Sequence, residues 1–298
     1  MLVIIVLMEQ VFIYTILVLS GAILGSFAGA QVWRTRARQL AEDKKNKEKV
    51  NNKEYKRLLP LTKKGKCRRS IDLDTGKQLP WYDLIPVVSW LALRGKSRFS
   101  GKPIGWLEPL FEFSMISFFV LSYAFWPYEL HNLLAIIQFV LWLAAGVGLA
   151  ILFAYDFKWS LLPNRPIIIT LVIAVSSAIF SVLQTKNIWA SLLSLAGAIL
   201  ILSGLYCLLY ILSKGRWVGF GDTKLGLILA LLLTDWSLAF VALFAANLIG
   251  CLIVLPNMIA GKMTPKTRIP FGPLLITGAV IAQFFGYQLV NWYANGLF

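Results

Sequence analysis

The sequence predicts an all-α polytopic membrane protein with about eight transmembrane helices and a basic first loop on the cytoplasmic side. Three observations predict it. Of the 298 residues, 58% are hydrophobic and only 14% are charged, well short of the charge a soluble domain of this length carries. The apolar residues come in blocks that reach the roughly 20 residues a helix needs to cross a bilayer. The positive charge is gathered in one place, 20 of the 29 Lys and Arg lying between Arg34 and Lys102.

Taken in chain order, the apolar blocks and their breakers place spans near 4–32, 106–126, 132–155, 166–185, 188–212, 223–233, 236–259 and 272–294. The first block starts at Leu2 with no basic segment ahead of it and is too long for a signal-peptide core, so a retained helix is expected. The sixth is short and is expected to cross the bilayer only in part. With the basic loop inside, the interior loops carry 28 of the 29 basic residues and only Lys186 falls outside. That bias is what the positive-inside rule requires of an eight-span chain with both termini outside. Three segments are expected: 1–33 as the first transmembrane helix, 34–105 as the basic cytoplasmic loop or small domain, and 106–298 as a multi-helix membrane domain.

Within the basic segment, residues 36–66 are polar and highly charged, suiting a helical extension or a mobile linker. Residues 79–106 mix aromatics, Pro and Gly. They suit a small folded unit or an interfacial segment anchored by Trp81, Trp90 and Trp106. No internal repeat of useful strength is evident.

The net charge of +15 is read as a topology signal and a contact for anionic membrane lipids. Nucleic acid is not an expected partner, because the basic run lacks interleaved aromatics for base stacking. Cys67, Cys207 and Cys251 make no disulfide framework. His131 is the only histidine, which excludes a Ser–His triad and a His-rich zinc site.

The acidic residues are the most informative. From Leu130 to Phe298 there are only three: Asp156, Asp222 and Asp235. Asp235, in LLTDWS, is expected to cap the next helix or to be solvated. Asp156 and Asp222 stand at the cytoplasmic ends of the third and sixth predicted spans, on one side of the bilayer and at one depth. A carboxylate near hydrocarbon is costly, although each alone could be a helix-end residue or the partner of a nearby Lys. Asp156 lies in LFAYDFKWSLLPN, where Pro163 ends the apolar run and implies a helix terminus or reentrant turn. Asp222 lies in VGFGDTKLG, with Gly219 and Gly221 expected to allow unusual backbone conformations and close approach of a second chain. At a helix head the macrodipole favours the anionic form, and a plain N-cap after a turn would explain the pattern equally well. Two facing carboxylates that share one proton can hydrolyse a peptide bond by general acid–base catalysis, with neither metal nor nucleophilic side chain.

Several of these runs resemble the type IV prepilin peptidases, membrane aspartic proteases of the GxGD type. They are DFKWSLLPN from Asp156, GFGDTKL from Gly219 to Leu225, IPFGPLL from Ile269 to Leu275, and the early GAILGSFAGAQVWR from Gly21 to Arg34, with Ala28 or Gly29 where an Asn is usual. WYDLIPVVSWLALRGKSRFSGKPI, from Trp81, and PLFE, from Pro109 to Glu112, complete the set. The resemblance runs in order from residue 21 to about 275.

The resemblance makes Asp156 and Asp222 the catalytic pair and Gly219, Gly221, Lys224, Pro163 and Asn164 parts of the active-site motif. It aligns Glu112 with an acid linked to pilin recognition or to a second activity. It sets Asp83 beside a usual Asn that is Leu84 here. That second activity is N-methylation of the new N-terminus, for which S-adenosylmethionine would be the cofactor; proteolysis needs none. Family members commonly carry two C-x-x-C pairs as a zinc site in the first loop. Here the first pair is read as Cys67-Arg68-Arg69-Ser70 and the second as Ser97-Arg98-Phe99-Ser100, with residues Asp72 to Pro80 an extended link. No zinc is therefore expected.

The function expected is cleavage of the short basic leader from type IV prepilin or pseudopilin substrates at the bacterial inner membrane. The rival from another class is a proton-coupled transporter relaying protons through two intramembrane carboxylates, which predicts inverted repeats and acids near the midplane. A membrane scaffold with purely structural acids is the third reading.

Overall fold

The computed structural model describes residues 2–62, 70–72, 75–262, 264 and 269–296. The described residues form helices, short 3-10 turns and isolated bridges, with no strand among them. The chain divides into two compact units, Met1–Tyr123 and Ala124–Phe298.

The first unit is built on α1 (Leu2–Lys45), which runs well past the predicted span. The extension is amphipathic: Ala37 and Leu40 pack with Leu58 and Leu61, flanked by Trp33, Val50, Tyr55 and Ile71. Leu58 closes α2 (Asn52–Leu58), whose head is capped by the Asn51 side chain accepting from the amides of Lys53 and Glu54. An ion pair of 2.9 Å from Arg36 to Glu54 ties the two helices. The basic segment is thus helical extension up to Lys45, where Lys44 and Lys45 complement the negative helix end. A short α3 (Val88–Ala92) and α4 (Leu107–Ala124) follow.

Gly21 and Gly25 decide how α1 meets α4. A Cβ on Gly21 would stand 2.9 Å from the Ile116 Cα, and one on Gly25 2.7 Å from the Glu112 Cα. Glycines four apart let two apolar helices touch backbone to backbone where no hydrophobic effect drives them together.

The second unit comprises α5 (Leu133–Trp159), α6 (Asn164–Leu183), α7 (Ile188–Ile199), a π-helical turn (Leu200–Gly204) running into α8 (Leu205–Ser213), α9 (Phe220–Leu233), α10 (Trp236–Ile259) and α11 (Phe271–Gly296). Asn132, Asn187 and Asp235 each accept a first-turn amide at a helix start, Asp235 from Ser237 at 2.7 Å. Large apolar side chains such as Ile169, Leu193, Phe244 and Leu252 face outward, while Thr170, Ser177, Ser203 and Gln283 are buried. That inversion of the soluble pattern suits a hydrocarbon solvent.

Six helices among the described residues are long and apolar enough to cross a membrane: Leu7–Lys45, Leu133–Trp159, Asn164–Leu183, Ile188–Ser213, Trp236–Ile259 and Phe271–Gly296. The other two predicted spans are also helices, α4 and α9. At 14 residues α9 is only about 21 Å long, and it is enclosed by α6, α7 and α11. Leu225, Ile228, Leu229, Ala230 and Leu233 are all buried. A helix apolar on every face belongs inside a bundle.

The π turn fixes the position of α9. Its wider ring brings the Leu202 carbonyl against Gly226, where a Cβ would overlap it, and the Ser203 hydroxyl donates to the Thr223 carbonyl at 3.1 Å.

Candidate active site

All parts of the candidate site belong to the second unit. Asp156 sits in the last turn of α5. Ser160, in the left-handed conformation, closes the helix by donating its amide to the Asp156 carbonyl at 2.7 Å. The chain then extends through Pro163, the N-cap of α6, and Asn164 is that helix's first residue. The expected Pro-ended stretch is therefore a plain helix terminus and restart.

Asp156 is 5% exposed, and its carboxylate Oδ2 accepts the amide of Gly272 at 2.9 Å. Gly272 is the second residue of α11, where helix amides lack an intrahelical acceptor. A Cβ there would lie 2.7 Å from that oxygen, so the close approach requires glycine. In the sequence IPFGPLL stands out only as part of the family resemblance, with no residue assigned to the site; the Gly-Pro pair at a helix start is the available signal.

Asp222 is the third residue of α9, and its carboxylate accepts the amide of the N-cap residue Gly219 at 3.1 Å. The side chain thus folds back over the positive end of its helix, as the sequence suggested. The two glycines do not supply the unusual backbone conformations expected of them. Gly219 has φ −79° and Gly221 lies within the helix, so neither adopts a backbone closed to other residues. What Gly221 supplies is space, since a Cβ there would stand 2.9 Å from the Leu162 Cβ.

The two acids, 66 residues apart in sequence, lie close enough for their carboxylates to interact electrostatically. Gly272 lies between their helices: a Cβ on it would stand 2.7 Å from the Asp156 carboxylate and 3.3 Å from Leu225, one turn after Asp222. Lys224 donates to the Asn164 side-chain oxygen at 2.8 Å and lies over the Phe220 ring, so α9 is pinned to the start of α6. Tyr206, buried on α8, also lies in the electrostatic range of Asp222 and packs against the Phe271 ring at 5.3 Å. Nothing in the sequence marked it.

Asp83 and Glu112 lie in the first unit. Asp83 forms a forked ion pair with Arg98, at 3.0 and 2.9 Å. Glu112 is buried on α4 and accepts the amide of Val87 at 2.6 Å. Val87 has φ 60° and ψ −49°, a conformation that is strained for a β-branched residue. Cys67 lies outside the described residues. Among those described, no three His, Cys, Asp or Glu side chains cluster as metal ligands would.

Comparison with known proteins sets this geometry in a family. The model of the Type IV leader peptidase family matches residues 142–255, and that of the Bacterial Peptidase A24 N-terminal domain matches residues 19–126. The chain belongs to the type IV leader peptidase family. Among its relatives, the prepilin leader peptidase/N-methyltransferase of Bacillus subtilis is 26% identical over 71% of this chain and 79% of its own length. Proteins of the same name from Xanthomonas campestris and Burkholderia pseudomallei are 29% and 30% identical, over 75% and 71% of this chain and 75% and 65% of theirs. No solved structure matches the chain. In this member of the leader peptidase family Asp156, Asn164, Asp222 and Lys224 lie within the peptidase match, and Asp83 and Glu112 within the N-terminal match. Gly272 lies beyond both.

Proposed function

We propose that Asp156 and Asp222 are the catalytic pair of a membrane aspartic endopeptidase that removes the short basic leader from type IV prepilin-like proteins. The observation that carries this reading is that two acids from separate helices lie within electrostatic range of one another, each with a carboxylate oxygen held by a backbone amide, Gly272 for Asp156 and Gly219 for Asp222. In the reaction one proton is shared by the pair, because two close carboxylates do not both ionise. The anionic member takes a proton from water as its oxygen attacks the scissile carbonyl carbon, and the protonated member donates to the carbonyl oxygen. Collapse of the tetrahedral intermediate breaks the C–N bond, the leaving nitrogen takes up a proton from the pair, and one hydroxyl of the intermediate returns its proton, so the pair again holds one. Backbone amides are rigid donors, so the carboxylates are oriented before substrate arrives.

The substrate's apolar helix would lie in the bilayer and its leader on the cytoplasmic face of the bacterial inner membrane, the side of the basic first loop by the charge bias. Both acids sit at helix termini, which suits chemistry at the water boundary. The relatives' shared name includes N-methyl transfer, for which S-adenosylmethionine would be the methyl donor here.

Incubation of the purified protein in detergent with a prepilin tests the reading. The wild type yields a shortened product, D156A and D222A each yield none, and a normal product from either variant overturns the assignment. Including S-adenosylmethionine and weighing the new N-terminus shows whether a methyl group is added.

A further inference from the structure

The loop of the first unit contains one turn twice. In the first copy the Asp72 amide donates to the Lys77 carbonyl at 2.9 Å; in the second, Ser97 donates to Lys102 at 2.8 Å. Gly76 donates back to the Asp72 carbonyl at 2.8 Å, and Gly101 to that of Ser97 at 2.9 Å. Both glycines are left-handed, at φ 68° and 66°. An antiparallel bridge closes each turn, Ile71 with Gln78 and Lys96 with Pro103. The register equates Asp72-x-x-Thr75-Gly76-Lys77 with Ser97-x-x-Ser100-Gly101-Lys102. This internal repeat is not evident in the sequence, because only Gly and Lys are identical between the copies. The turn equivalent to Ser97–Ser100 begins at Asp72, within the segment expected as an extended link; Cys67 lies outside the described residues.

In each copy the side chain of the first residue accepts from the main chain, one amide at Asp72 and two at Ser97. The Thr75 amide donates to Asp72 Oδ1 at 2.8 Å, and the amides of Phe99 and Ser100 donate to the Ser97 Oγ at 3.3 Å each. Converging amides favour an anionic atom at that point. Two such turns carrying C-x-x-C would present four thiolates to one zinc. Here the four equivalent positions hold one carboxylate and three hydroxyls. Zinc prefers nitrogen and sulfur donors and neutral hydroxyls hold it poorly, so these residues do not fit the ion. The side chains instead bond one another directly. The Ser97 Oγ and the Ser100 Oγ both donate to Asp72 Oδ2, the latter at 3.4 Å, and Asp72 is 7% exposed.

We infer that the Asp72 carboxylate is a built-in replacement for a metal ion, clamping the two turns together so that the loop folds without zinc. The negative charge that thiolates would supply is carried by one aspartate, and the bonds an ion would make are made by two serine hydroxyls. The loop's integrity then becomes indifferent to zinc supply, to chelators and to thiol oxidation.

Limited trypsin digestion of the full-length protein in detergent tests this, since Lys77, Arg94, Lys96 and Arg98 all lie within or between the turns and none precedes a proline. The wild-type cleavage rate between residues 70 and 104 is expected to be unchanged by EDTA. D72A should raise it about tenfold or more through loss of a charged hydrogen-bond hub, with D72N, whose amide oxygen still accepts, falling between. Should D72A fail to fold, D72N and the S97A/S100A pair carry the same comparison. As a direct check of the register, D72C/T75C/S97C/S100C should take up about one zinc per chain and become sensitive to EDTA. The inference is overturned by a wild-type protein with stoichiometric metal whose removal opens the loop, by Asp72 variants cleaved no faster than wild type, or by a folded four-cysteine variant that takes up no zinc.

Discussion

The Gly272 amide donates to the Asp156 carboxylate at 2.9 Å across 116 residues of sequence, and no side chain fits between them. One helix start therefore orients an acid carried by another helix's end. The Cβ of G272A would force that carboxylate aside, and a displacement of about 1 Å at a reacting group costs on the order of 100-fold in rate. Turnover of a prepilin by G272A should fall by that order with KM little changed. Size-exclusion behaviour in detergent should remain that of the wild type. An equal rise in KM would place Gly272 in substrate binding instead.

Asp156 and Asp222 are expected to act as one unit. D156N and D222N should each lower kcat by at least about 1,000-fold, and the double variant should be scarcely worse than either, as for groups that share a single step. Additive losses in single-turnover assays would mean two independent roles.

Lys224 and Asn164 join α9 to α6 through one hydrogen bond of 2.8 Å. Bonds to charged groups contribute about 1.5–3 kcal/mol when well formed. K224A and N164A should therefore each slow cleavage about tenfold, with the double variant no slower than the singles. N164D, which restores an acceptor for the ammonium group, should recover most of the rate. A double-mutant cycle on kcat/KM reads the coupling.

Gly226 faces the Leu202 carbonyl of the π turn. G226V should be destabilised by about 1–3 kcal/mol through overpacking, visible as a lower thermal midpoint in detergent. The same change at Gly296, which has nothing near its Cβ position, should leave that midpoint in place.

Much of the molecule was legible in the chain itself. The 3.6-residue helix and the thickness of a bilayer make runs such as 236–259 spans wherever they fold. Capping could also be read locally, since Asp235 needed only the amide of Ser237. The acids were conspicuous because charge is rare in apolar sequence: Asp156 and Asp222 stood out by scarcity before any geometry was known. What could not be read was each glycine's purpose. Gly219 and Gly221 suggested special backbone angles, whereas Gly221 turned out to make room for Leu162, a neighbour 59 positions away.

The sequence by itself determined the helical, membrane-embedded class, the approximate spans and the two acids, because hydropathy and charge cost act residue by residue on local segments. The tertiary structure alone decided that α9 is enclosed by its neighbours, that Gly272 holds Asp156, and that Asp72 joins two copies of one turn. Each of these is a close approach between segments far apart in the chain. Such approaches depend on which side chains are absent or small, on both sides at once, and a single stretch of sequence shows at most one of the two sides.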